Sequence, residues 1–214
     1  MPPLAITAKL LVAATGCTQE IARALERGMS DACLKFGITT GARLADFLAH
    51  TGHESANYTR RVENLNYSAQ RLMQVWPMRF PDIRIAQPYA QNPQALANEV
   101  YAGRMGNTEA GDGWRFRGRG FLQVTGRANY REVTRLLREA GVLCPDFERD
   151  PDALAEPRWA AMSAAALWHS WSLNELADTG EFTKQTIRIN GGKNGLDDRL
   201  ARRARARKAI QGVG

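Results

Sequence analysis

Two glutamates, Glu54 and Glu63, stand nine positions apart in FLAHTGHESANYTRRVENLNYSAQRL, residues 47–72. A pair of carboxylates is the minimum apparatus for cleaving a glycosidic bond with water: one delivers a proton to the leaving oxygen, the other takes a proton from the attacking water. In one unbroken helix nine residues rise about 13.5 Å and make roughly two and a half turns, so the pair would point apart. The two cooperate only if the helix ends between them. Ser55, Asn57 and Thr59 are weak in helix interiors and are placed to end it. Folded back, the carboxylates would face each other at about 6.5–9.5 Å, which leaves room for a water. The spacing alone still favours a plainer reading, two surface glutamates pairing with Arg60, Arg61 or Arg71.

Other residues invite chemistry less directly. His50, His53 and Glu54 lie at i, i+3 and i+4, but H-x-x-H-E is not the zinc-protease order, and the remaining histidine, His169, sits in an apolar segment. No metal and no cofactor is expected; His53 is expected to hydrogen-bond near the carboxylate or to close the helix. In FLQVTG, Gln123 and Thr125 have side chains able to orient a water or a sugar hydroxyl, and on an extended piece they would point the same way. Turn residues have the same composition for local reasons. Trp114, Phe116, Tyr67 and Tyr101 suit sugar stacking or a core. The glycines around GRG match neither phosphate-loop pattern, and no nucleic-acid signature accompanies the arginines.

These residues need elements to hold them. Leu10, Leu11, Ala14, Ile21, Leu25 and Met29 predict two helices broken near Gly16, with Thr18 as an N-cap and the second ending at Gly37. Leu44, Phe47, Leu48 and Thr51 predict an inward-packed helix that delivers Glu54 at its C-terminal end. Four prolines between Trp76 and Pro93 predict a loop, and GDGWRFRGRGFLQVTG, residues 111–126, an irregular loop with short extended pieces. Helical patterns return at NYREVTRLLREAG and at EPRWAAMSAAALWHSW, which is apolar enough for a buried central helix. INGGKNG is a turn before the basic C-terminal helix. The fold class is mainly α, two lobes with a small β or loop element.

With 214 residues and 44% hydrophobic residues, one domain, residues 1–214, is expected, of two lobes around a cleft, and no stretch approaches the roughly 20 apolar residues that span a bilayer. Twenty-nine Lys and Arg against 22 Asp and Glu give a formal +7, a field that attracts polyanions such as nucleic acid, anionic lipid or an acidic envelope polymer. RLARRARARKAIQGVG, with Leu200, Ala204 and Ile210 among its arginines, reads as a basic amphipathic helix, either a solvated face or a contact with an anionic outer membrane. Cys17, Cys33 and Cys144 cannot all pair and fit no zinc spacing, so reduced, mostly buried thiols and a reducing compartment are expected. The apolar run before Cys17 is too short for a secretory signal, so no cleaved signal is expected. No exposed apolar stripe is evident, and a monomer is expected.

Three segments in order, AHTGHESANYTRRVENLNYSAQRL, ANEVYAGRMGNTEAGDGWRFRGRGFLQVTGRANY and RINGGKNGLDDRLARRARA, resemble glycoside hydrolase family 19, the chitinase-like enzymes, and within it the phage and prophage endolysins. The resemblance covers about residues 40–208, with residues 1–39 as helices of the same domain, and it overturns the plainer readings above. It implies a lysozyme-like two-lobed helical fold. It also implies Glu54 of the H-E-[ST] motif as general acid, Glu63 as general base, and Gln123 and Thr125 holding the water. Sugar contacts are implied at Asn129 and Asn190, and an electrostatic partner for the acid at Arg199.

One departure stands out: plant-type chitinases carry a further glutamate where this chain has Asn194, and their cysteine pairs are missing here. The departure puts chitin specificity in doubt; the closer endolysin resemblance, the missing export signal and the basic surface imply bacterial peptidoglycan instead, cleaved with inversion by an enzyme made in the host cytoplasm and released onto the wall. Chitinase is the alternative; beyond it stand a lytic transglycosylase, which would need no activated water, and a non-catalytic murein-binding module, in which Glu54 would be dispensable.

Overall fold

The computed structural model describes residues 5–212. The chain forms helices α1 (Ala8–Thr15), α2 (Gln19–Lys35), α3 (Gly41–Glu54), α4 (Ala69–Val75), α5 (Ile83–Ala86), α6 (Pro93–Tyr101), α7 (Asp112–Arg115), α8 (Arg127–Glu139), α9 (Pro157–Ser170), α10 (Leu173–Asp178), α11 (Phe182–Asn190) and α12 (Leu196–Gln211). Their starts follow from local chemistry. Thr7, Thr18, Thr40, Ser68, Asp82 and Asn92 each take an N–H of the first turn of α1 to α6 on a side-chain oxygen, satisfying donors that the helix itself leaves open. The break after α1 falls at Gly16, which is left-handed as a C-terminal glycine usually is.

Two apolar clusters give the molecule its two lobes. The larger gathers α1, α2, α3, α8 and α9, with Leu11, Met29, Phe47, Tyr130 and Trp168 fully or almost fully buried. Its centre is α9, whose Ala-rich faces are buried nearly all round, as its composition predicts. Small residues let α2 come close: a Cβ on Gly28 would lie 3.0 Å from the Arg158 Cα. The smaller cluster is built from Leu65, Leu72, Phe80, Leu96, Ala97 and Val100, with Trp76, Tyr101 and Trp114 packed at its edge.

Between the lobes lies the small β element. It consists of two isolated antiparallel bridges, Val62 to Arg119 and Arg119 to Val124. Arg119 is buried, and its guanidinium donates to the Arg115 carbonyl at 2.8 Å, the Tyr130 hydroxyl at 2.7 Å and Asp152 at 2.5 Å. That anchor pins the bridges to α7, α8 and the 3-10 turn Pro151–Ala155.

Three expectations need correction. The proline-rich stretch is not all loop, because Asp82 caps the short helix α5 and a 3-10 turn follows at Gln87–Tyr89. Gln123 is left-handed, with φ 51°, so it and Thr125 do not share one extended piece; the chain turns sharply between the Arg119 and Val124 partners. In α12 Leu200 and Ala204 face outward, while Arg199 and Ala206 are buried. The three cysteines are unpaired, and Cys17 and Cys33 are buried. No helix among the described residues is long and apolar enough to cross a membrane.

Candidate active site

Glu54 is the last residue of α3, and the chain reverses at once. Ala56, Asn57 and Tyr58 are all left-handed, with φ of 48°, 57° and 66°. Each such residue costs about 1–2 kcal/mol, so the surroundings must enforce the turn. They do so at several points. Ser55 Oγ accepts from the Tyr58 N–H at 2.9 Å, the Ser55 carbonyl accepts from the Arg60 N–H at 2.9 Å, and the Tyr58 hydroxyl meets Thr51 Oγ1 at 3.1 Å. Arg202 of α12 donates to the Asn57 side-chain oxygen. SANYT therefore ends the helix as its composition predicts, and the two glutamates are carried on different supports.

Glu54 forms an ion pair with Arg199 Nη2, and its side chain is 24% exposed against 1% for the arginine. Arg199 Nη1 meets His50 Nδ1 at 3.1 Å. His53, though next to Glu54 in sequence, belongs to a different contact. Its Nδ1 lies 2.6 Å from Asp198 Oδ2, and its ring packs so closely on Gly195 that a Cβ there would come within 2.4 Å of His53 Cε1. His53 thus closes the joint between α3 and α12. His50 and His53 turn to different partners, and among the described residues no three His, Cys, Asp or Glu side chains converge as a metal site.

Glu63 follows the bridging residue Val62. Its Oε1 accepts from the Gly118 N–H at 2.5 Å and its Oε2 from the Tyr101 hydroxyl at 2.7 Å. The Glu63 N–H in turn donates to the Gly118 carbonyl at 2.9 Å. Burial and the Glu63 charge push the Tyr101 hydroxyl well above the usual phenol range, so it remains a donor at any physiological pH. Each carboxylate oxygen keeps a second lone pair for water.

Gln123 and Thr125 come to the same place by another route. A Cβ on Gly118 would lie 2.7 Å from Gln123 Oε1, 3.2 Å from Thr125 Oγ1 and 3.3 Å from Glu63 Cβ, so three expected site residues meet around one missing side chain. The Thr125 hydroxyl donates to the Gln123 carbonyl at 3.1 Å, leaving its lone pairs open. Asn129 donates to the Thr125 carbonyl at 2.7 Å. An open cavity of about 420 Å³, lined among others by Gln123, Thr125, Asn129, Leu136, Trp171 and Ile189, begins here.

Two expected sugar contacts are engaged locally. Asn190 holds the INGGKNG turn, donating to the Asn194 carbonyl at 3.0 Å and accepting from the Gly192 N–H at 2.9 Å. Trp114 has the Arg117 guanidinium 4.0 Å over its ring, which covers one face of the indole. Sequence reasoning missed Gly118 and Gln185 and weighed His50 only as a metal ligand. Gly118 had a visible signal in the GRG tripeptide beside Gln123; Gln185 had none.

No protein-family model matches the chain. Over 167 residues, 77% of this chain and 78% of the relative, it is 40% identical to a glycosyl hydrolase family 19 domain-containing protein of Haemophilus influenzae. The chain belongs to glycosyl hydrolase family 19. Among solved structures it is similar in fold to chitinase C of Streptomyces griseus, with a TM-score of 0.60 at 13% identity, covering 99% of this chain and 95% of that one. A mutant form of chitinase C gives a TM-score of 0.60 at 14% identity, covering 97% and 77%. The mainly helical, two-lobed family 19 architecture is thus present, and with it a glycoside hydrolase framework.

Proposed function

We propose that this family 19 member hydrolyses the β-1,4-linked aminosugar glycan of bacterial peptidoglycan, with Glu54 as general acid and Glu63 as general base. The observation that carries the reading is the unlike support of the two carboxylates: one faces a buried arginine, the other is fixed by two donors beside Gln123 and Thr125. Glu54, which must enter the step protonated, gives its proton to the leaving glycosidic oxygen, and Arg199 balances the carboxylate left behind. Glu63 takes a proton from a water that Thr125 helps hold, and that water attacks the anomeric carbon from the opposite face, inverting it.

The formal charge of +7 favours an anionic wall over neutral chitin, and a role in host lysis, with synthesis in the cytoplasm and release onto the wall, fits the endolysin-like motifs. Chitin is the second reading, favoured by the chitinase fold of the solved neighbours. The test is mass spectrometry of fragments released from purified peptidoglycan and from chitin, by wild type and Glu63→Gln. Reducing N-acetylmuramic acid ends that disappear in the variant support the proposal. Anhydro ends that persist in it mean transglycosylation, and release from chitin alone means a chitinase.

A further inference from the structure

His50 is fully buried one turn before Glu54, and the mechanism above does not use it. Its ring stacks on Phe182 at a centroid distance of 4.4 Å and lies 5.8 Å from Trp168. Both nitrogens are occupied: Nδ1 by Arg199 Nη1 at 3.1 Å, Nε2 by Gln185 Oε1 at 3.2 Å. A guanidinium only donates, so Nδ1 must accept, and the ring hydrogen sits on Nε2, pointing at Gln185 Oε1. Gln185, also fully buried, is oriented by its own amide, which donates to the Leu173 carbonyl at 3.1 Å.

A directional chain therefore runs from the Leu173 carbonyl of α10 through Gln185 of α11 and His50 of α3 to Arg199 of α12, and ends at Glu54. Burial, with Arg199 alongside, pushes His50 down to about 3, which favours the neutral ring that these two contacts require. Arg199 needs this restraint, because its Nε is buried with no partner among the described residues.

We infer that His50 is a positioning residue: as a neutral acceptor held by Gln185, it fixes the plane of the Arg199 guanidinium so that Nη2 meets the Glu54 carboxylate. The inference rests on the reading of Glu54 as the acid. A purely structural His50 would make the same contacts but leave turnover indifferent to whether an acceptor is present at Nδ1.

The experiment compares His50→Asn, which keeps an acceptor near the Nδ1 position, with His50→Leu, which fills space and accepts nothing. Both lose the Gln185 bond. His50→Leu should lower kcat on peptidoglycan by on the order of 10²-fold with KM within about twofold, and His50→Asn should recover most of that loss. Equal kcat in two variants of equal melting temperature overturns the inference. If neither variant folds, nitrogen NMR of the wild-type ring decides: a neutral imidazole with its hydrogen on Nε2 supports the chain, whereas an imidazolium or the Nδ1–H form overturns it. Full activity in Glu54→Gln removes the reading beneath, leaving the NMR outcome unchanged.

Discussion

Gly118→Ala is the sharpest test of the site, because one methyl group meets three expected site residues at once. Gly118 is buried, and its two backbone hydrogen bonds to Glu63 survive the substitution. The new Cβ would lie 2.7 Å from Gln123 Oε1, closer than real Cβ atoms come, so that side chain must move. It is a flexible end and can. The contacts at 3.2 Å to Thr125 Oγ1 and 3.3 Å to Glu63 Cβ ask for shifts of a few tenths of an ångström in groups that are less free. Misplacement by about 1 Å costs on the order of 10²-fold in rate, so a loss of about 10- to 100-fold in kcat is expected.

Stability should hardly follow. Overpacking costs about 1–3 kcal/mol, at the low end where a flexible tip gives way, and stiffening the unfolded chain returns about 0.4–1 kcal/mol. The net is about 0–2 kcal/mol, or at most about 8 °C in melting temperature for a chain of this size. The assay pairs turnover on purified peptidoglycan with a thermal melt. Activity within twofold of wild type would refute the reasoning, because Glu63, Gln123 and Thr125 would then tolerate displacement and could not be holding a water. A collapse of the melt with proportionate loss of activity would show that Gly118 serves packing instead.

Three further outcomes are expected. Tyr101→Phe removes a donor from Glu63 and should lower kcat about 10-fold, the equivalent of about 1.4 kcal/mol, with the fold intact by circular dichroism; unchanged kcat would remove Tyr101 from the site. Asp46 is fully buried and held by Arg203 at 2.6 and 3.1 Å, so Arg203→Ala leaves a buried carboxylate without its cation and should cost about 3–5 kcal/mol in urea unfolding, against well under 1 kcal/mol if the pair is incidental. His50 stays neutral in the folded chain down to about pH 3, while the unfolded chain protonates it near its ordinary value of about 6.5. Its contribution is therefore complete above about pH 6.5 and falls on acidification towards pH 3, by up to about 1.4 kcal/mol per pH unit. The slope of stability against pH should be about one proton steeper in wild type than in His50→Asn, and equal slopes would contradict the neutral buried ring.

The helices that were legible in the sequence carry strong local signals. Thr18 and Gly16 bound α1 and α2, SANYT ends α3, and the alanine-rich run of α9 is buried almost throughout. What stayed hidden is nonlocal. Gln123 and Thr125 were expected to point the same way on a short extended piece, yet Gln123 takes φ 51°, since Arg119 pairs with Val124 as well as with Val62 and the chain must turn sharply between Arg119 and Val124. The meeting of Glu63 with Gln123 and Thr125 depends on those bridges, and no spacing in a sequence encodes a contact across 60 positions. Pro93 at the start of α6 was read only as part of a loop, although proline is favoured in a first helical turn.

The C-terminal helix shows most clearly why charge misleads. Arginines are mostly exposed, so a run of them reads as a surface. In α12, however, Arg199, Arg202 and Arg203 have side chains only 1%, 18% and 13% exposed. They face Asp46, His50, Glu54 and Asn57, positions that recur at three- and four-residue intervals along one side of α3 and just beyond its end. The seam between these two helices is thus a polar stripe at helical period, where an apolar stripe is the usual expectation. Such a seam is demanding, because Asp46 and Arg199 are both buried and either would be costly without its partner. The polar stripe therefore binds α12 to the helix whose last residue is Glu54, and part of the positive charge that suggested an outward partner faces inward, onto Asp46 and Glu54.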